Sequence, residues 1–248
     1  MAMSFKNKVV VITGASSGIG AATGIAFAKE GAYVVLVASN KEKLRKVKKD
    51  CEAVGRRAFI IITDLSEEVY SSVINLIIKR HKRIDVLVNN AGVLDYGNIR
   101  NNTLVDAYDE IMDVNIRAPV FLTTYAAPHL IASKGNIVNV SAIDAEKVVC
   151  DEYGAFSVTK AALNQFTRAA AIELGEHGVR VNTISPSDVR TNMYKNAGKL
   201  KENVELKSVM TPWTEPEEIA DLILFMASDK ARGITGSNFV CDNGSMLL

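Results

Sequence analysis

A chain of 248 residues, 48% of them hydrophobic, is long enough for one large α/β domain with a sizeable core. A formal net charge of +1 gives no electrostatic case for nucleic acid. No apolar run is long enough to span a bilayer, no secretory signal is visible, and the scattered Cys51, Cys150 and Cys241 fit neither a disulfide framework nor a zinc site. A cytoplasmic protein without a metal centre or membrane contact is therefore expected.

The chain opens on β-branched Val9, Val10, Val11, Ile12 and Thr13, a run that suits a strand buried on both faces. It passes into Gly14, Ala15, Ser16, Ser17, Gly18, Ile19 and Gly20, followed at once by a helical pattern carrying Ile25, Phe27 and Ala28. Strand, glycine turn and helix together present backbone N–H groups to a phosphate. The glycines allow a tight turn and close approach, and the helix N-terminus favours negative charge.

Strand-like and helical stretches then alternate. Strands are predicted over 33–37, 58–62, 84–88, 136–140, 179–184 and 238–241, and helices over 41–54, 66–81, 153–176 and 215–227. Ser66-Glu67-Glu68 reads as the start of the second of these helices, and Pro216 sits in the first turn of the last. The stretch 103–134 predicts two helices broken near Ala118-Pro119. The alternation predicts a single doubly wound α/β domain of about seven parallel strands flanked by helices. The polar, lysine-rich 187–212 is the least regular region and reads as a substrate lid. Met193, Tyr194, Val209, Met210 and Trp213 in and beside it suggest an apolar small-molecule ligand. His81, His129 and His177 read as isolated surface or loop histidines.

Over nearly its full length the chain resembles the short-chain dehydrogenase/reductase family. Thr13 to Gly20 is similar to the family's cofactor turn, and Asn89-Asn90-Ala91-Gly92 to its sheet-stabilising motif. Asp113-Val114-Asn115 resembles the stretch that holds a catalytic-network asparagine. Arg180-Val181-Asn182 with Pro186 resembles the approach to the nicotinamide, and Ile234-Thr235-Gly236 with Asp242-Asn243-Gly244 the C-terminal end. The resemblance implies a Rossmann-type fold, NAD(P)(H) binding and a homotetramer. A tetramer also suits the helix after Lys160, where Ala161, Ala162, Leu163, Phe166, Ala169, Ala170 and Ile172 are apolar round much of its surface.

By the same resemblance Gly14, Ser16, Ser17, Gly18, Ile19 and Gly20 form the phosphate turn. Asp64 and Leu65 meet the adenine, Asn90 its ribose, Lys160 the nicotinamide ribose, and Val189 and Thr191 the nicotinamide amide. An NAD enzyme places a carboxylate at the end of the second strand to hold the ribose 2′-OH. Here that position is Ala38, with Ser39 beside it and Lys41 and Lys43 following. This favours NADP(H), with NAD(H) as the alternative; arginine, the stronger phosphate fork, is missing.

The chain departs from the family where the proton moves. Asn115 and Lys160 stand at catalytic positions, but Phe156 occupies the tyrosine position, four residues before Lys160, and Ala142 the serine position. Neither side chain carries a hydroxyl. Tyr153 and Ser157 read as ordinary helix-start residues, and Ser141 is expected to point elsewhere. A positioned general acid contributes ~10²–10⁴ in rate and one oxyanion donor ~10²–10³, so weak or absent carbonyl reductase or alcohol dehydrogenase activity is expected with cofactor binding retained. The alternative is an oxidoreductase acting on an apolar carbonyl or alcohol by an altered proton route through water, Tyr153 or Lys160.

Overall fold

The computed structural model describes residues 5–193 and 208–248. Seven parallel strands form one sheet: β1 (Val9–Thr13), β2 (Tyr33–Ala38), β3 (Phe59–Ile62), β4 (Val86–Asn89), β5 (Asn136–Val140), β6 (Arg180–Pro186) and β7 (Asn238–Cys241), in the order β3-β2-β1-β4-β5-β6-β7. Among the described residues the α-helices are α1 (Gly18–Lys29), α2 (Lys41–Val54), α3 (Tyr70–His81), α4 (Leu104–Met112), α5 (Ala118–Ser133), α6 (Gly154–Gly175) and α7 (Pro216–Ala227). This is the single-domain Rossmann arrangement the sequence predicts.

The apolar continuity of the strands has a plain cause. Val10, Ile12, Val34 and Leu36 pack on one side with Phe27 of α1, Leu44 and Val47 of α2, and Ile219 and Ile223 of α7. Their neighbours Val9, Val11, Val35 and Val37 pack on the other with Val73 and Ile77 of α3, Leu122 and Leu130 of α5, and Leu174 of α6. Side chains alternate across a strand, so a sheet covered on both faces needs apolar residues at every position.

From β1 the chain moves outward to β2 and β3, then returns to lay β4 on the other side of β1. All strands are parallel, so the residues that follow β1, β4, β5 and β6 gather along one sheet edge. The reversal between β1 and β4 leaves a crevice there, the usual ligand position of an open α/β sheet. Hydrogen-bonded side chains join the strands beneath it. Asn89 Nδ2 donates to Asn139 Oδ1 (2.9 Å), Asn139 Nδ2 to Thr167 Oγ1 (2.8 Å), and Thr183 Oγ1 to Thr167 Oγ1 (2.7 Å), linking β4, β5, β6 and α6. At the opposite end, buried Asp85 accepts from the Val9 N–H (2.9 Å) and pairs with Arg83 and Lys8, tying the starts of β1 and β4.

Two local predictions are corrected. The helix expected from residue 66 begins at Tyr70, because the Asp64 carboxylate accepts from Ser66 N and Oγ (2.9 and 2.8 Å) and holds a turn there. The helix break near Pro119 is instead a π-turn, Asp113–Arg117, joining α4 to α5 without interruption. Proline lacks the N–H that an α-helix would offer to the carbonyl of residue 115, and one wider turn absorbs the loss. Among the described residues no helix is long and apolar enough to cross a membrane, and no histidine, cysteine or carboxylate cluster has metal-site spacing.

Candidate active site

The glycine turn comes first. Gly14 and Gly18 have φ +64° and +51°, the left-handed region that side chains avoid. A Cβ on Gly20 would lie 2.4 Å from the Gly14 carbonyl oxygen, so the helix can meet the turn this closely only without a side chain. Ser17 caps α1 in extended conformation with no side-chain capping bond, and the first turn carries no acid. The N-terminal N–H groups of α1 are therefore left for an anion rather than satisfied from within.

Thr13 and Asn90 brace the turn from the side. Thr13 Oγ1 accepts from the N–H groups of Asn90 (3.0 Å) and Ala91 (2.9 Å), and Asn90 Nδ2 donates to the Thr13 carbonyl (2.9 Å). The π-turn turns Asn115 inward. Its Oδ1 accepts from Val93 N (2.8 Å), and its Nδ2 donates to the Val93 carbonyl (2.9 Å) and Thr159 Oγ1 (3.1 Å). Asn115 thus holds the loop after β4 to the start of α6.

A cleft runs beside this frame, lined by Gly14, Ser17, Gly18, Ile19 and Asn90 from the turn side and by Ala142, Phe156 and Lys160 from β5 and α6. Lys160 is buried, and its Nζ donates to the Val140 carbonyl (3.1 Å) and lies 5.3 Å from the Phe156 ring centroid. Burial lowers the Lys160 ammonium to about 8, against the attraction of Asp144. Ser141 Oγ donates to the Lys160 carbonyl (3.1 Å), so that hydroxyl is committed to the α6 backbone, as expected.

Tyr153 stands at the N-cap of α6, the helix start expected of it. It is buried in the cleft wall, with its ring centroid 6.4 Å from Phe156 and 5.6 Å from Tyr96. Burial, then Tyr96, pushes its phenol well above the usual tyrosine range. Ser157 Oγ is buried and makes no hydrogen bond among the described residues.

Two carboxylates that sequence reasoning does not single out, Asp144 and Asp188, also line the cleft. Asp144 stands on a short 3₁₀ turn, Ile143–Ala145, immediately after Ala142. Burial and then the charge of Asp188 raise its carboxyl to about 6, against its backbone N–H bond and Lys160. A signal was available: Asp144 lies two residues beyond the position where the family keeps a hydroxyl at the reacting oxygen.

Val189 and Thr191 line the cleft as well, and a Cβ on Gly18 would lie 2.8 Å from Thr191 Cγ2. Ser16 lies on an adjoining groove with Ser17, Lys43 and Lys46. Ser39, Asp64 and Leu65 line neither of these. Ser39 is exposed just past β2, Asp64 is held in its turn with Ser66, and the Leu65 side chain is buried in the core with Tyr70. Among the lid residues Met193 reaches the cleft, whereas Tyr194 lies outside the described residues.

A family model described as "Enoyl-(Acyl carrier protein) reductase" matches residues 14–246. Meso-2,3-butanediol dehydrogenase of Serratia marcescens is 37% identical over 247 residues, covering 98% of this chain and 96% of that one. The chain belongs to the short-chain dehydrogenase/reductase family. Solved members superpose closely. A short-chain dehydrogenase from Burkholderia cenocepacia, in complex with NADP, gives a TM-score of 0.89 at 28% identity, covering 97% of this chain and 98% of that one. L-Sorbose reductase from Gluconobacter frateurii, complexed with NADPH and L-sorbose, gives 0.90 at 30% identity, covering all of both chains. The protein is thus an oxidoreductase-type member with a nicotinamide dinucleotide-binding fold.

Proposed function

We propose that this protein binds NADP(H) in preference to NAD(H) and keeps the family's catalytic frame without its two reactive hydroxyls, so that ordinary carbonyl reduction is weak or absent. The observation that carries this reading is the pairing of buried Lys160 with Phe156: the lysine is poised 5.3 Å from a ring that has no proton to give. Ala142, beside it in the cleft, offers no hydrogen bond to a reacting oxygen.

The residues present fit a dinucleotide. Gly14, Gly18 and the uncapped start of α1 form a cradle that a side chain would fill, suited to the pyrophosphate. Asn90 would hold the adenine ribose, Lys160 the nicotinamide ribose, Val189 and Thr191 the amide, and Asp64 and Leu65 the adenine. When bound, the cofactor donates or accepts a hydride. Asn115 keeps the loop and α6 in register, and Lys160 supplies a cation beside the reacting face.

The preference for the phosphorylated form rests on the end of β2. Ala38 is buried there, exposed Ser39 follows, and Lys43 and Lys46 line the groove beside Ser16 and Ser17. The end of β2 itself carries no carboxylate, although Asp50 and Glu217 line the same groove as Lys43 and Lys46, and Asp50 holds Lys46 at 3.0 Å. Calorimetric titration is expected to give tighter binding of NADPH than NADH. Ser39→Asp should shift the ratio toward NADH by about tenfold or more, since one charge near a surface phosphate is worth on the order of 1–2 kcal/mol. Tighter NADH binding by the parent would overturn the preference.

We also propose a homotetramer. Val158 and Ile172 on α6 and Tyr125 on α5 are large apolar side chains left on the surface, and Ile172 is 82% exposed. Such faces suit two-fold contacts. Light scattering at micromolar concentration should return about four times the chain mass, and a monomer mass would remove this part of the reading. The expected cytoplasmic location belongs to the same proposal and is supported by three free cysteines.

A further inference from the structure

Among the described residues the charged side chains lining the cleft are Asp144, Asp188 and Lys160, so carboxylates outnumber cations among them. Asp144 Oδ1 is buried and, among the described residues, has no hydrogen-bond partner. A buried acceptor left without a donor bears the full desolvation penalty of the group, which a ligand carrying a donor or a positive charge relieves. The same carboxylate has the wrong sign for carbonyl reduction, which builds negative charge on oxygen. Around it the walls are apolar and aromatic, with Leu94, Val149, Met193, Tyr153 and Phe156. Aromatic faces attract cations in water-poor surroundings.

We infer that the ligand of this cleft is an apolar organic cation, an iminium or the protonated amine related to it, with Asp144 as its counter-charge. The catalytic half of this inference rests on the dinucleotide reading above. An iminium needs neither missing hydroxyl. Its carbon takes a hydride, with the electron pair, from the reduced nicotinamide; a C–H bond forms and the C=N π pair becomes the nitrogen lone pair. The iminium is reduced to a neutral amine, the nicotinamide is oxidised to its cation, and charge balances with no proton moved in that step. Asp144 binds the cation in the ground state, so its removal is expected to act on KM more than on kcat.

The binding half is tested on the full chain without cofactor. N-Methyltetrahydroisoquinoline, a cation at neutral pH, and α-tetralone, a neutral ketone on the same two-ring frame, are titrated by calorimetry. The amine should bind about 30-fold more tightly or better, as expected for a close charge pair screened from water. Asp144→Asn should abolish that difference, while Asp144→Glu should keep most of it. A second measurement needs no variant: amine binding should weaken as pH falls from 8 to 5. Over that range Asp144 takes a proton, and Lys160 gains one beside it. Among the described residues the other groups facing Asp144 are Asp188, a second carboxylate that also attracts the amine, and Tyr153, which stays neutral. N-Methyldihydroisoquinolinium with NADPH should then be reduced faster than without protein, and the Asn variant should raise KM. Equal affinity for amine and ketone, or an Asn variant that binds the amine as tightly as the parent, overturns the inference. Cofactor binding without iminium reduction overturns its catalytic half. Failure of both dinucleotides to bind overturns the cofactor reading, while the amine titration still judges Asp144 by itself.

Discussion

Turnover of ketones and secondary alcohols is expected to rise by at least ~10² when Phe156→Tyr and Ala142→Ser are combined, because one positioned general acid contributes that much. The first change adds a hydroxyl to a ring of the same shape, already packed against Tyr153 and within 5.3 Å of Lys160 Nζ, so the core should tolerate it. Beside the lysine cation the new phenol should ionise below its unperturbed value of about 10. The second change puts a hydroxyl into the cleft wall, where Ala142 now stands and where Ser141 cannot help because it bonds the α6 backbone. Initial rates with NADPH and a ketone panel decide the matter. Brisk turnover by the parent, abolished by Tyr153→Phe, would establish the altered proton route instead. That outcome has to contend with a phenol whose burial makes it a weaker acid than free tyrosine.

Gly20→Ala is expected to cut NADPH affinity by about 10². The added Cβ would lie 2.4 Å from the Gly14 carbonyl oxygen and 2.6 Å from Asn90 Nδ2, so backbone as well as side chain must give way. Strain from such overpacking costs about 1–3 kcal/mol, and a rigid backbone neighbour places it at the upper end. The displaced carbonyl belongs to the phosphate turn itself, so the loss falls on cofactor binding. Quenching or enhancement of NADPH fluorescence on titration measures it. Gly175→Ala is the control, since a Cβ there meets nothing within 4 Å at the last residue of α6. Equal affinity for the two variants would show that the turn does not hold the dinucleotide.

The order of elements was legible in the sequence because it is a local property. Val9 to Thr13 could only be a strand covered on both faces, and three glycines after it could only be a close turn, whatever the rest of the chain did. The same holds for Phe156 and Ala142: an absent hydroxyl is absent in any fold. What the tertiary structure decided was which side chains meet in space. Asn115 became a brace because a π-turn, which no residue pattern announces, rotated it toward Val93. Tyr153, seven residues before Lys160 and thus two turns away along a helix, entered the cleft because it caps the helix and folds back beside Tyr96. Asp144 and Asp188, 44 positions apart in the chain, came to share one cleft only because β5 and β6 are adjacent and parallel, so the residues after each strand emerge on the same edge. Burial then raised the pKa of Asp144 and lowered that of Lys160, and burial depends on every element packed round the cleft rather than on any one stretch of residues.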